Sequence, residues 1–141
     1  MEVYIPVSPG ELVDKITILE IKSRRIRNAF KLKSVKAELA SLKITYKDII
    51  NSTDVSKPNL TALKKKLLNV NNKLWIIEDK IRIKESKGIY DSKFIHLART
   101  VYITNDIRSE LKSKINNLFG SHIKEVKQYA NYKAKNKLKA K

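Results

Sequence analysis

The sequence predicts an all-α fold: an elongated helical bundle of about four helices around a long antiparallel hairpin of the third and fourth, with a short N-terminal extended segment. Three observations carry this. Apolar residues recur at alternating spacings of three and four, the period of one helix face. Gly and Pro number only 3 each in 141 residues, too few for the turns of a sandwich or barrel. Helix-start and helix-stop residues fall at the ends of the periodic stretches.

Each element can be justified in chain order. Residues 2–7, EVYIPV, alternate Val3, Ile5 and Val7, which reads as an extended, edge-type segment because Pro6 has no N–H to donate. Ser8, Pro9 and Glu11 then stand at the N-cap, first and third positions of a helix, a capping box. The stretch ITILEI alternates enough to pass for a strand. The cap and the spacing of Leu12, Ile16, Leu19, Ser23 and Ile26 instead place a first helix at about 9–27. A second helix, about 31–50, carries the unbroken stripe Leu32, Val35, Leu39, Leu42, Tyr46 and Ile49. NSTDVSKP, residues 51–58, is a loop.

The third helix, about 60–87, has the stripe Leu60, Leu63, Leu67, Val70, Leu74, Ile77, Ile81 and Lys84, and Gly88 is suited to the position just past its end. Asp91 caps the fourth, about 92–119, whose stripe runs Phe94, Leu97, Val101, Thr104, Arg108, Leu111, Ile115 and Leu118. The two stripes share one register: antiparallel pairing sets 60 opposite 118, 70 opposite 108 and 84 opposite 94. A hairpin of this length is about 40 Å long at 1.5 Å per residue. Leu68, Trp75, Ile76 and Ile83 widen the apolar face beyond a two-stranded seam. The first two helices are expected on its open side, and a homodimer is the expected oligomer.

Residues 1–120 form the helical bundle domain and 121–141 a basic C-terminal arm with seven Lys and one Glu. Within it Ile123, Val126 and Tyr129 have helical spacing, so a short docked helix or arm is expected rather than a platform for stacking bases. The chain has no Cys and 2 His, which excludes disulfides, thiolate metal sites and histidine-rich sites. No run of about 18 apolar residues could span a membrane. MEVYIPVSPG lacks the basic start and apolar core of a signal peptide, so a soluble, cytoplasmic protein is expected. No Walker loop, GxGxxG or nucleophile–base pair stands out, and neither cofactor nor metal is expected.

The net charge is +17, a balance that attracts polyanions. Only six of the 31 basic residues are Arg, and Lys, Ile and Asn are all residues of AT-rich codons. Base composition therefore accounts for much of the lysine excess. Nucleic-acid binding is the alternative function, through lysine faces and the tail residues Lys133, Lys135, Lys137, Lys139 and Lys141.

Polar residues cluster on the hairpin. The register sets Asp79 opposite Arg99, Arg82 opposite His96 and Asn72 opposite Asp106, with Arg108 on the seam. A buried Arg needs a partner. Asn71, Asn105 and Glu110 are candidates, with Asp14 and Glu20 across the bundle. The cluster reads either as ion pairs that fix register or as a ligand pocket. In the second case Arg82, Arg99 and Arg108 grip a carboxylate or phosphate, Glu78 or Asp106 is the acid–base group or the orienting partner, and Asp79 and Asn105 are further candidate ligand-binding residues. A metal site of Glu78, Asp79 and His96 lacks the paired Glu-x-x-His motifs of di-iron bundles.

Val7–Lys15 with Thr17–Lys22 resembles the opening of an uncharacterised bacterial domain family of unknown function. Leu74-Trp75 with Ile77-Glu78-Asp79 and Ile81-Arg82 is similar to its later signatures, as are Phe94-Ile95 with Leu97-Ala98-Arg99 and Val101-Tyr102 with Thr104-Asn105-Asp106 and Arg108. Gly120-Ser121 and Glu125-Val126-Lys127 leading to Tyr129 extend the resemblance to about residues 5–132, with Val126 standing where the pattern leads one to expect a second acid. The resemblance implies proximity to surface-polysaccharide and glycosyltransferase pathways and supplies no catalytic residues. Its polar signatures imply a defined site or a self-assembly surface. The expected function is a non-enzymatic helical assembly or binding module with a protein partner. Nucleic-acid binding is the first alternative; a small-anion receptor or enzyme using the Arg cluster is the second.

Overall fold

The computed structural model describes Met1 and residues 3–132. Among the described residues there are four helices and no strands: α1 (Pro9–Arg25), α2 (Ala29–Asn51), α3 (Lys57–Ser86) and α4 (Ser92–Leu118). Residues 3–7 are exposed and pair with no strand. No helix among the described residues is long and apolar enough to cross a membrane.

The ends of the helices follow local chemistry. Ser8 Oγ accepts from the Glu11 N–H at 3.3 Å and Pro9 occupies the first turn, where its missing N–H costs nothing. Asn28 and Asp91 cap α2 and α4 in the same way, accepting from the N–H groups of Lys31 and Phe94 at 3.0 and 2.9 Å. α3 starts earlier than the sequence predicts, because Pro58 fits inside its first turn. Gly88 and Gly120 adopt φ of +63° and +62°. There the N–H groups of Ile89 and Ser121 turn back to the carbonyls of Lys84 and Asn116, the Schellman closure that favours glycine.

The helices stack in three layers. α3 and α4 form the long hairpin, α1 lies across one face of it, and α2 packs on the far side of α1. α1 is therefore buried on two sides. Leu12, Ile16 and Leu19 meet Val35, Leu39, Leu42, Tyr46 and Ile49 of α2. Val13 packs with Leu60, Leu67, Leu111 and Ile115 of the hairpin. Each such aliphatic side chain contributes about 1.5–3 kcal/mol when fully buried. This double burial explains why ITILEI is apolar enough to resemble a strand. The expectation that both early helices cover the hairpin is refined: α2 reaches the hairpin core only at one end, through Tyr46 and Ile50. Glu20 ties the layers together, with Lys64 of α3 at 3.1 Å and Lys43 of α2 at 3.7 Å.

Candidate functional site

Where α1 crosses the hairpin, a polar clamp replaces apolar packing. Asp14 is 3% exposed. Its carboxylate accepts from Arg108 Nε at 2.9 Å and Nη2 at 2.5 Å, a two-pronged ion pair. Asn71 of α3 donates to Asp14 Oδ1 at 2.8 Å and to Thr17 Oγ1 at 2.9 Å. Thr17 in turn donates to the Asp14 carbonyl at 2.8 Å. The hydrogen bonds it donates to Asp14 raise the Arg108 guanidinium above its ordinary pKa despite burial. Three helices thus supply one saturated network. Asn105 adds a long contact to Arg108 at 3.5 Å.

Outside the clamp lies a cleft of about 360 Å³. Ile18 and Ile21 of α1, Trp75, Glu78, Asp79 and Arg82 of α3, and Asn105 and Arg108 of α4 line it. Five of the seven residues singled out by sequence, Glu78, Asp79, Arg82, Asn105 and Arg108, meet here. Arg99 does not: it is exposed on α4 and makes no ion pair among the described residues. Asp106 points elsewhere and accepts from the Tyr132 hydroxyl at 2.8 Å. Arg82 bonds Glu78 one turn away at 2.7 Å instead of facing His96, and Asn72 accepts from Arg25 at 2.7 Å instead of facing Asp106. The reason is angular. Asp79, Arg99, Asn72 and Asp106 all occupy the heptad position farthest from the seam, so being level along the axis does not bring them together. Glu78 and His96 line different grooves, so the metal triad does not converge.

The charges in the cleft cancel in pairs. Asp14 answers Arg108, Glu78 answers Arg82, and Asp79 remains. Little uncommitted positive charge is left among these pairs to grip an anion.

A second polar station joins α1, α4 and the segment after α4. The Gly10 N–H donates to Asn116 Oδ1 at 2.7 Å. A Cβ on Gly10 would sit 2.5 Å from the Lys112 carbonyl oxygen, so only glycine permits this approach. Lys112 is buried between Glu11 at 2.5 Å and Glu125 at 2.8 Å. Burial alone would lower the Lys112 pKa, but the two carboxylates outweigh it and raise it. The same Lys112 bond holds the Glu125 carboxyl below its usual range. Residues 121–132 contain no helix; they run back along α4 as a strap that ends with Tyr132 against Tyr102, ring centroids 5.0 Å apart. The docked arm expected from the sequence is an extended one. Lys133, Lys135, Lys137, Lys139 and Lys141 lie outside the described residues.

The Ser-Pro-Gly-Glu signature is thus an entry device for α1: cap, first-turn proline, close approach, ion pair. Glu11 gives its carboxylate to Lys112 rather than completing the capping box. In the sequence Gly10 and Thr17 stand within the opening signature without an assigned role, and Lys112 and Asn116 are not singled out at all. The near-continuous apolar run of α1 was the available signal, since a polar side chain inside a doubly buried helix must find a partner.

A family model described as a family of unknown function, DUF6165, matches residues 1–136, and the chain belongs to that family. No curated protein and no solved structure matches it.

Proposed function

We propose that this member of the family is a non-enzymatic assembly module that presents its α3–α4 hairpin to a partner protein. One observation carries this reading: α1 covers only one face of the hairpin. On the opposite face Ile76, Ile83, Ile103 and Ile107 are 38% to 54% exposed. Apolar side chains left exposed along one face of a helical hairpin mark an interaction site. The internally saturated clamp supports the same reading, because it spends the polar residues on holding α1 against the hairpin rather than on chemistry.

The test is photocrosslinking in cells with a benzophenone side chain at position 83, and at exposed position 33 of α2 as control. A discrete protein adduct at 83, absent at 33, is the expected result. Adducts confined to nucleic acid or lipid, or equal yields at both positions, would overturn the proposal.

A further inference from the structure

The bare face of the hairpin has a charge pattern that composition does not explain. With Leu67 and Leu74 at heptad position a and Val70 and Ile77 at d, α1 packs on the side of the e and b residues, where Asn71 contacts it. The g and c residues lie on the other side. The g positions are Lys66, Lys73 and Lys80 on α3 and Lys87 at its C-cap. They recur every seven residues, about 10.5 Å along the axis, and all four are exposed. None makes an ion pair among the described residues. The cations turned toward α1 and the strap behave differently: Arg108, Lys64, Arg82 and Lys112 each meet a carboxylate. Lys84 at the hairpin turn meets Asp91; the lysine row beside it stays unpaired along its whole length, a regular spacing that a genome-wide lysine excess would not produce.

We infer that this face binds an acidic amphipathic helix of a partner protein; the inference rests on the proposed assembly role and deepens it. Ile76 and Ile83 on α3, with Ile103 and Ile107 on α4, form the apolar centre, and the lysine row forms one flank. Apolar seams bordered by charges at heptad spacing are how helices select and register a partner. A groove of about 580 Å³ at the hairpin tip, lined by Lys80, Ile83, His96 and Leu97 among others, lies on the same face and offers a socket for an apolar anchor. A second copy fits poorly, because face-to-face pairing would oppose two lysine rows with Glu110 as the sole acid on the g and c positions of each hairpin. Phosphate backbones fit poorly too, because isoleucines occupy the centre of the face.

The experiment is fluorescence anisotropy with the full chain and a labelled synthetic peptide of four heptads, leucine on its seam and glutamate on its flanks. Controls are the same composition scrambled, and a version with lysine for glutamate. The acidic helix is expected to bind at least about tenfold more tightly than either control. Lys73→Glu with Lys80→Glu should weaken it by about tenfold or more, while Lys31→Glu with Lys33→Glu on α2 should not. Circular dichroism melts establish that each variant is folded. Equal binding of the scrambled peptide would overturn the inference. So would tighter binding of duplex DNA or phosphatidylserine vesicles through the same lysines, or a salt-resistant homodimer formed through this face. If the position 83 protein adduct forms and survives the Lys73 and Lys80 changes, only the acidic partner is wrong. If no adduct forms, the assembly role itself fails.

Discussion

Asp14 and Arg108 are 94 residues apart in the chain and meet through two parallel hydrogen bonds of 2.9 and 2.5 Å. Asp14→Ala would leave Arg108 without its counter-charge in a partly buried site. The expected loss is about 3 kcal/mol, the low end for a broken buried pair because the Arg108 side chain keeps 29% of its exposure. Replacing both residues by leucine and methionine should recover most of it. Urea denaturation of both singles and the double variant checks this; additive losses would show that the two residues are not coupled.

Gly10→Ala should cost about 1–3 kcal/mol, the usual range for overpacking. The new methyl would meet backbone, the Lys112 carbonyl, as well as the Asn116 side chain at 2.7 Å. Gly10→Ala with Asn116→Ala should remain destabilised, because the backbone clash persists. Thermal melts distinguish this from a simple side-chain conflict, which the second change would relieve.

Thr104 is fully buried and its hydroxyl has no hydrogen-bond partner among the described residues. Thr104→Val keeps the shape and removes the orphaned group. Stability should rise by about 1 kcal/mol. A fall in the urea midpoint would mean that the hydroxyl has a partner, such as a buried water.

The strap should dock within a pH window. Lys112 depresses the Glu125 pKa below its ordinary 4.5, so the stabilisation is present above that value and lost as pH falls through the depressed one. Lys112 itself is raised above 10.5, so its contribution is present below 10.5 and lost as pH rises through the raised value. Nuclear Overhauser contacts between the Tyr102 and Tyr132 rings should persist from about pH 5 to 10 and fade outside. Contacts independent of pH would separate strap docking from this ion pair.

Much of the architecture was legible in the sequence. The α2 stripe from Val35 to Ile49 is the surface that packs on α1, and Ser8, Gly88 and Asp91 mark real helix ends. The shared register of α3 and α4 was legible because both seams repeat every seven residues. The site was less so. Periodicity gives a residue's level along a helix, but a third helix decides which of its sides is covered. Arg108 could be seen to need a partner, yet choosing Asp14 over Glu110 required the crossing of α1. Arg99 and Asp106 looked central and are peripheral, because both sit on the outer side of α4.

The double burial of α1 also constrains the order in which the chain can mature. α2 follows α1 directly and can cover one side at once. The other side is closed by Leu60, Leu67 and Asn71 of α3 together with Leu111, Ile115 and Asn116 of α4. Until a ribosome has released α4, only α3 can cover Val13, Asp14 and Thr17 on that side. A nascent chain stalled before residue 108 would display the Asp14 carboxylate without its Arg108 counter-charge beside half-covered aliphatic surface, which suits chaperone capture and proteolytic surveillance. Synthesis of α4 is what turns α1 from a liability into the centre of the molecule.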